Sequence, residues 1–330
     1  MLPLFLLSLT LTLDCHLIIM FGTNLINAKF TKPQILGMGL GLALLLAVGA
    51  YASLKMYRQY RAYQATLPRS DAQHYLQVGN FQRAYDLYIP TTLTAKQPAP
   101  LVIALHGVGG NGTLMSQQTG FNAFADRDGM MVVYPDAIGK HWNARPSDRP
   151  EAQNDIDFIQ ALIDDVNQRH PVDRRRIYVT GFSNGGTFTH RVACQVPGIR
   201  AIATVAAPIA GVLADQCQPQ QPVSVLLIHG TKDEAIPYDN PTKGLLTPPN
   251  TLKFWSQHNQ CQETAIAKPS GFPNIKLQAS APCRAQSTVQ LYTVQNGGHD
   301  WAGSTTPTKQ PKEFSASNTI WNFFQQTGKN

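Results

Sequence analysis

The chain of 330 residues is predicted to be an α/β protein, with a mostly parallel sheet covered by helices on both faces in a single domain. Two observations predict this class. From residue 75 onward, short apolar runs alternate with segments whose apolar residues recur at helical spacing. Several runs are apolar throughout, as in parallel strands buried on both faces. Apolar residues make up 43% of the chain, which is enough for a large core.

The predicted elements follow one another along the chain. Residues 83–89 alternate like an edge strand, and apolar runs predict further strands at 101–105, 131–134, 177–180, 201–205, 223–228 and 289–294. Helical spacing predicts helices at 155–168, 185–194, 251–259 and 315–326. The Pro-rich stretch at 241–249 and residues 267–282 are predicted to be surface loops. We therefore expect one folded domain over residues 71–330, preceded by an apolar region and linker over residues 1–70.

The positive charge of the chain is concentrated at the N-terminus. The net charge is +7, but residues 1–70 hold six Lys and Arg against one acid, Asp14, and the remainder is nearly balanced. This excess flanks an uncharged apolar stretch at residues 33–54. A distribution of this kind indicates membrane topology and argues against a nucleic-acid partner.

Residues 33–54 support two alternatives. The stretch is long enough to cross a bilayer as a helix. An A-x-A pattern at residues 50–52, with Lys29 and Lys32 ahead of the stretch, fits a cleaved signal peptide, whereas Lys55 just beyond it fits a retained anchor. Both alternatives predict an exported protein, secreted or periplasmic, which contacts a membrane only through this segment if it is not cleaved.

Four cysteines lie in the predicted domain. They are well separated, and none forms a C-x-x-C pair. Spacing of this kind in an exported chain favours two disulfides over a metal site, and no metal is expected. Of the three possible pairings, we favour Cys194 with Cys217 and Cys261 with Cys283, because each closes a short loop.

The strongest chemical signal is a G-x-S-x-G sequence centred on Ser183. It follows the predicted strand 177–180 directly and precedes a predicted helix. A strained strand-to-helix turn of this kind holds a serine hydroxyl exposed at a helix N-terminus, and the flanking glycines relieve the crowding. The context predicts that Ser183 is a nucleophile.

A serine nucleophile requires a base and an acid that orients the base, in the chain order serine, acid, histidine. The predicted strand 223–228 leads into Asp233, and the predicted strand 289–294 leads through two glycines into His299. We therefore predict His299 as the general base and Asp233 as its orienting acid.

Two neighbouring residues are rivals for these roles. His229 precedes Gly230 at a strand end, where a structural role is favoured. Glu234 is adjacent to Asp233 and is the rival acid. Neither residue displaces the prediction of His299 and Asp233.

A serine hydrolase also needs two donors for the oxyanion that forms during the reaction. One is usually the backbone N–H of the residue after the nucleophile, here Asn184. The second comes from a glycine-rich loop after an early strand, and here the loop following residues 101–105 predicts the backbone N–H of Val108. A phosphate-binding loop is the alternative, and it is disfavoured because the Lys-Ser/Thr ending is missing.

These motifs together resemble the secreted polyhydroxybutyrate depolymerase and feruloyl esterase group of serine esterases, over residues 75–327. The blocks that carry the resemblance are residues 105–107, 133–136, 141–143, 176–186, 229–233, 237–238 and 298–301. The resemblance implies an α/β-hydrolase fold, Ser183, Asp233 and His299 as the triad, and no cofactor. It also implies that Trp142 and Trp301 line the substrate cleft, with packing in the core as the alternative for both residues.

The resemblance implies hydrolysis of carboxylic esters through an acyl-enzyme, on soluble hydroxyalkanoate oligomers or aromatic esters of the feruloyl type. The chain has no Thr-rich linker or binding module after the domain, so we expect soluble or oligomeric esters as partners. Asp300, beside the predicted base, departs from the family and predicts a preference for neutral over anionic esters. An acyltransferase or a peptidase of the same fold and a non-catalytic binding protein are the alternatives.

Overall fold

The computed structural model describes residues 73–94, 97–145, 155–240, 244–263, 265–268, 270–304 and 314–328. All of them belong to one compact unit that extends over residues 69–330. The apolar segment 33–54 and the predicted boundary at residue 70 lie outside the described residues. Among the helices that are described, none has the length and apolar composition needed to span a bilayer.

Ten strands of the described chain form one sheet in the order β1-β2-β4-β3-β5-β6-β7-β10-β9-β8. Their bounds are β1 Gln73–Val78, β2 Phe81–Tyr88, β3 Ala99–Leu105, β4 Met131–Pro135, β5 Val172–Phe182, β6 Ile199–Val205, β7 Ser224–Gly230, β8 Ile266–Lys268, β9 Ile275–Ser280 and β10 Val289–Val294. The six central strands, from β4 to β10, are parallel, and the pairs at either side are antiparallel. The carboxyl ends of all six central strands therefore lie along one edge, which we call the C-terminal edge.

Helices cover both faces of the sheet. They are α1 Gly112–Thr119, α2 Phe121–Asp128, α3 Asp155–Arg169, α4 Asn184–Gln195, α5 Gly211–Ala214, α6 Pro248–His258 and α7 Ala316–Thr327. Alternate residues of a strand point to opposite faces, so Leu101 and Ile103 of β3 pack in one core with α3, α4 and α6. Val102 packs in the other core with α1, α2 and α7. The α/β class with a mostly parallel sheet and helices on both faces is confirmed.

Three details differ from the sequence predictions. The strand predicted at the edge, β2, is flanked by β4 and by a further strand, β1, whose residues are only exposed or half-buried and so give a weak apolar signal. The short helices α1 and α2 were not predicted, because few of their residues are buried. The predicted loop at residues 267–282 is wrong: β8 and β9 form an antiparallel pair that extends the sheet beside β10.

Both favoured disulfides are confirmed. Cys194–Cys217 joins the last turn of α4 to the segment after α5. Cys261–Cys283 joins the end of α6 to the segment after β9. The second bond ties the β8–β9 pair to the helical layer, and this constraint helps a Pro- and Gly-rich segment to form strands. Loops of 23 and 22 residues are each worth about 3 kcal/mol in the chain-entropy model.

Candidate active site

Ser183 occupies a strained turn between β5 and α4. Its backbone has φ 52° and ψ −122°, a conformation that non-glycine residues rarely adopt. A Cβ at Gly185 would overlap the carbonyl oxygens of Leu105 and His106, and one at Gly186 would overlap the side chain of Ala207. Only glycine therefore lets α4 begin this close to β3, and the turn places the Ser183 hydroxyl at the C-terminal edge.

The side chains of Ser183, His299 and Asp233 form one hydrogen-bonded chain. Asp233 Oδ2 accepts a hydrogen bond from His299 Nδ1 at 2.8 Å, which leaves Nε2 to accept one from Ser183 Oγ at 2.9 Å. The serine and the aspartate are buried, and the imidazole is 13% exposed. The three groups come from the ends of β5, β7 and β10, and their geometry suits transfer of a proton from the hydroxyl to the imidazole.

The carboxylate of Asp233 is fixed by the turn in which it lies. Its Oδ1 accepts hydrogen bonds from the backbone N–H groups of Ala235 at 2.9 Å and Ile236 at 2.7 Å. The rival histidine, His229, is buried beneath this turn and bonds the carbonyl of Ile236 through Nε2 at 2.8 Å. Burial lowers the pKa of His229 below its ordinary value, and the negative charge of Asp233 offsets part of this shift. His229 therefore packs under the carboxylate, while His299 contacts Ser183.

The loop after β3 lies against the serine. A Cβ at Gly107 would come within 3.4 Å of Ser183 Cβ. The neutral ring of His106 holds this loop: its Nε2 accepts a hydrogen bond from Ala137 N at 3.1 Å, so Nδ1 carries the hydrogen and donates to Gly107 O at 2.7 Å. Burial lowers the pKa of His106 to about 4, so the ring stays neutral near pH 7.

Two donors fix the direction of one peptide plane in this loop. Gly107 O also accepts a hydrogen bond from Gly110 N at 3.1 Å. Because a trans peptide is planar, the N–H of Val108 points opposite to the carbonyl of Gly107. The N–H of Val108 is therefore directed away from His106. The sequence contained one signal for His106, a histidine directly after a predicted strand at this edge, but we predicted no role for it.

The amide of Asn184 joins the first residue of α4 to the segment after β4. Asn184 Oδ1 accepts a hydrogen bond from Trp142 N at 2.7 Å, and Nδ2 donates to Trp142 O at 3.1 Å. The backbone N–H of Asn184 lies in the first turn of the helix, where N–H groups have no intrahelical partner. Asn184 N–H is thus available next to the Ser183 hydroxyl.

The two tryptophans expected to line the cleft lie in the core. Trp142 is 0% exposed, stacks on Phe188 and donates a hydrogen bond from Nε1 to His106 O at 3.0 Å. Trp301 is 1% exposed and donates from Nε1 to Ser317 Oγ at 2.9 Å. Each indole finds apolar neighbours and a partner for its N–H, so both are buried. This burial does not support contact with substrate. Both residues pack in the core.

The comparisons with known proteins find a family model and relatives that match this chain. Residues 83–238 match the family model described as Esterase PHB depolymerase. The NocK protein of Nocardia uniformis subsp. tsuyamanensis is 29% identical over 68% of this chain and 72% of its own length. Feruloyl esterase B of Piromyces equi is 27% identical over 64% of this chain. The matched region is 41% of the length of that relative, less than half.

A solved structure supports the fold. The acetyl xylan esterase from Aspergillus awamori superimposes with a TM-score of 0.56 at 16% identity, over 77% of this chain and 99% of its own. The α/β-hydrolase fold and the family resemblance drawn from the sequence motifs are thereby confirmed. The family-model match over residues 83–238 and the relatives named as feruloyl esterases support the assignment of this chain as a carboxylic ester hydrolase.

Proposed function

We propose that the chain hydrolyses carboxylic esters through an acyl-enzyme, with Ser183 as nucleophile, His299 as general base and Asp233 as the acid that orients it. The observation that carries this proposal is the hydrogen-bonded chain from Ser183 Oγ through the imidazole to Asp233 Oδ2. The strained backbone of Ser183 supports it, because strain of this kind concentrates at functional sites.

The reaction proceeds in two halves. Ser183 Oγ attacks the ester carbonyl carbon while His299 Nε2 takes the hydroxyl proton. The tetrahedral intermediate then collapses, His299 donates that proton to the departing alcohol oxygen, and the acyl group remains on Ser183. Water attacks the acyl-enzyme, His299 takes a proton from the water, and release of the acid returns the proton to Ser183. Asp233 accepts the Nδ1–H bond throughout and stabilises the imidazolium.

We assign the oxyanion hole to the backbone N–H groups of Asn184 and Val108. Support comes from the two fixed positions described above: Asn184 begins α4 beside the serine, and the Gly107 carbonyl is held by His106. Donors that are fixed before the reaction stabilise the developing charge without reorganising, and one such donor is worth about 10²–10³ in kcat. His106 is thus a positioning residue for the oxyanion hole.

The substrates that fit the proposal are neutral esters that are soluble or oligomeric. The names of the relatives favour feruloyl esters, and the family name favours hydroxyalkanoate oligomers. Asp300 lies half-buried next to His299, and a carboxylate there disfavours an anionic acyl or alcohol group near the catalytic centre. Val108 is half-exposed, so its side chain is available for apolar contact with a substrate bound at the serine.

We also propose that the protein is exported. The two disulfides support this, because disulfides persist in oxidising compartments and are rare in the cytosol. The proposed division at residue 70 assigns the segment that directs export to residues 1–70. N-terminal sequencing of the native protein tests it: a mature start near residue 53 supports a cleaved signal, and an intact segment 33–54 in the membrane fraction supports an anchor.

A fluorophosphonate probe tests the catalytic assignment. We expect covalent labelling of the wild-type protein at Ser183, identified by peptide mass spectrometry, and no labelling of Ser183→Ala. Methyl ferulate, 3-hydroxybutyrate oligomers and short nitrophenyl esters then rank the acyl groups by kcat/KM. Labelling that persists in Ser183→Ala, or an unlabelled wild-type protein, contradicts the proposal.

A further inference from the structure

A cavity lies at the opposite end of the parallel strands from the triad, at the edge where β5, β6 and β7 begin. Its volume is about 610 Å³, within the range of small-ligand sites. The lining residues are Asp173, Arg174, Arg175, Arg176, Gly198, Arg200, Gln221, Thr327 and Gly328. Residues 173 and 183 stand at opposite ends of β5, about 30 Å apart at the rise of an extended strand. The cavity is therefore separate from the catalytic site.

Three of the lining arginines are consecutive in β5 and share two acids. Arg174 pairs with Asp164 at 2.6 Å, and Arg176 pairs with Asp173 at 2.8 Å. Arg175 is 91% exposed and reaches Asp173 only at 3.4 Å. Exposed pairs of this kind leave most guanidinium N–H groups in contact with water. Together with Arg200, the group has an excess of two positive charges.

Arg200, from β6, is the fourth arginine that lines the cavity. Arg200 donates from Nε to Thr327 O at 3.0 Å, which orients its guanidinium, and it forms no ion pair with any residue that the structure describes.

We propose that this cavity binds a phosphate group, either as a soluble phosphate ester or as a lipid headgroup. Guanidinium groups present paired N–H donors that match the oxygens of phosphate. The arginines approach from two strands, β5 and β6, and this arrangement suits a tetrahedral anion with several acceptor oxygens better than one planar carboxylate. The Gln221 amide adds a neutral donor. The proposal does not depend on catalysis by Ser183.

Calorimetric titration of the full chain with inorganic pyrophosphate tests the site, at about 0.15 M salt so that remote charges are screened. We expect saturable binding by the wild type and a weakening of at least about tenfold in the double variant Arg175→Gln/Arg200→Gln. Arg200→Lys keeps the charge but loses the paired donors, so we expect an intermediate affinity. Arg284→Gln removes an exposed arginine that does not line the cavity and is the matched control.

Two further measurements complete the test. Sedimentation with vesicles of phosphatidylglycerol or of phosphatidylcholine identifies the source of the phosphate. If the wild type pellets with the anionic vesicles and the double variant does not, the ligand is a lipid headgroup. If the wild type binds pyrophosphate but does not pellet, the ligand is a soluble phosphate. The single variant Arg175→Gln changes a side chain that is 91% exposed, so the substitution should leave the fold intact. Any loss of pyrophosphate binding in this variant then reports on the site and not on unfolding. Absence of pyrophosphate binding by the wild type, or equal weakening by Arg284→Gln, overturns the proposal.

Discussion

The two edges of the parallel sheet hold their polar groups in opposite ways. At the C-terminal edge the reactive groups are buried or nearly so, and hydrogen bonds fix each of them, as Ala235 and Ile236 fix Asp233. At the opposite edge, where the parallel strands begin and which we call the N-terminal edge, the side chains of Arg174, Arg175 and Arg176 are partly to largely exposed and share two carboxylates. Proton transfer requires atoms held within a few tenths of an ångström, whereas attraction of an anion requires only charge and accessible donors. The comparison predicts that changes at the two edges affect different functions.

Ser183→Ala gives the largest separation between the edges. We expect kcat for ester hydrolysis to fall by about 10⁴ or more, because the covalent route is lost. Pyrophosphate binding at the arginine cavity should stay within twofold of the wild type, about the precision of the titration. Circular dichroism and the melting temperature check that the variant folds. Hydrolysis at the wild-type rate would refute the catalytic assignment.

Acid should destabilise the protein through histidines near the C-terminal edge. Burial lowers the pKa of His190 to about 4, as it does that of His106. Between pH 6.5 and 4 the unfolded chain takes up protons that the folded state excludes, so the free energy of unfolding decreases as the pH falls, by about 3 kcal/mol for each ring. His190→Gln should show a smaller decrease between pH 7 and pH 4.5 in urea titrations. Equal decreases in variant and wild type would rule out this contribution.

His106→Asn tests whether the oxyanion loop is positioned through its carbonyl. Loss of the bond to Gly107 O should lower kcat by about 10–100-fold with little change in KM, because the Val108 N–H acts mainly on the transition state. Trp142→Phe, which removes the bond to His106 O together with part of the buried indole, is the comparison variant and should have the smaller effect on kcat. A rise in KM at unchanged kcat would indicate a role in substrate binding instead.

The double variant Arg175→Gln/Arg200→Gln should have the smallest effect on catalysis. Its kcat/KM on a neutral nitrophenyl ester should remain within about twofold of the wild type, since charges 30 Å away are screened at about 0.15 M salt. The same preparation used for the pyrophosphate titration serves for this assay. A tenfold loss of activity without a change in melting temperature would mean that the two edges are coupled.

The sequence predicted the fold class, both disulfides and the chain order of the catalytic candidates, because each depends on local signals. Continuous apolar runs mark buried parallel strands, and a serine between glycines marks the strained turn. The β8–β9 pair was missed because its residues carry no clear apolar pattern. Its place in the sheet depends on pairing with the edge of β10. The sequence left open whether Trp142 and Trp301 pack in the core or line the cleft, because tryptophan is common in both environments.

The sequence by itself therefore determined the order of the six central strands along the chain and which residues follow their carboxyl ends. Only the tertiary structure decided the distances between them, such as the 2.9 Å between Ser183 Oγ and His299 Nε2 across 116 residues of chain. It also decided that Arg174 and Arg200, on neighbouring strands, line one cavity. The physical reason is that sheet pairing and side-chain burial depend on partners remote in sequence, and no local pattern encodes them.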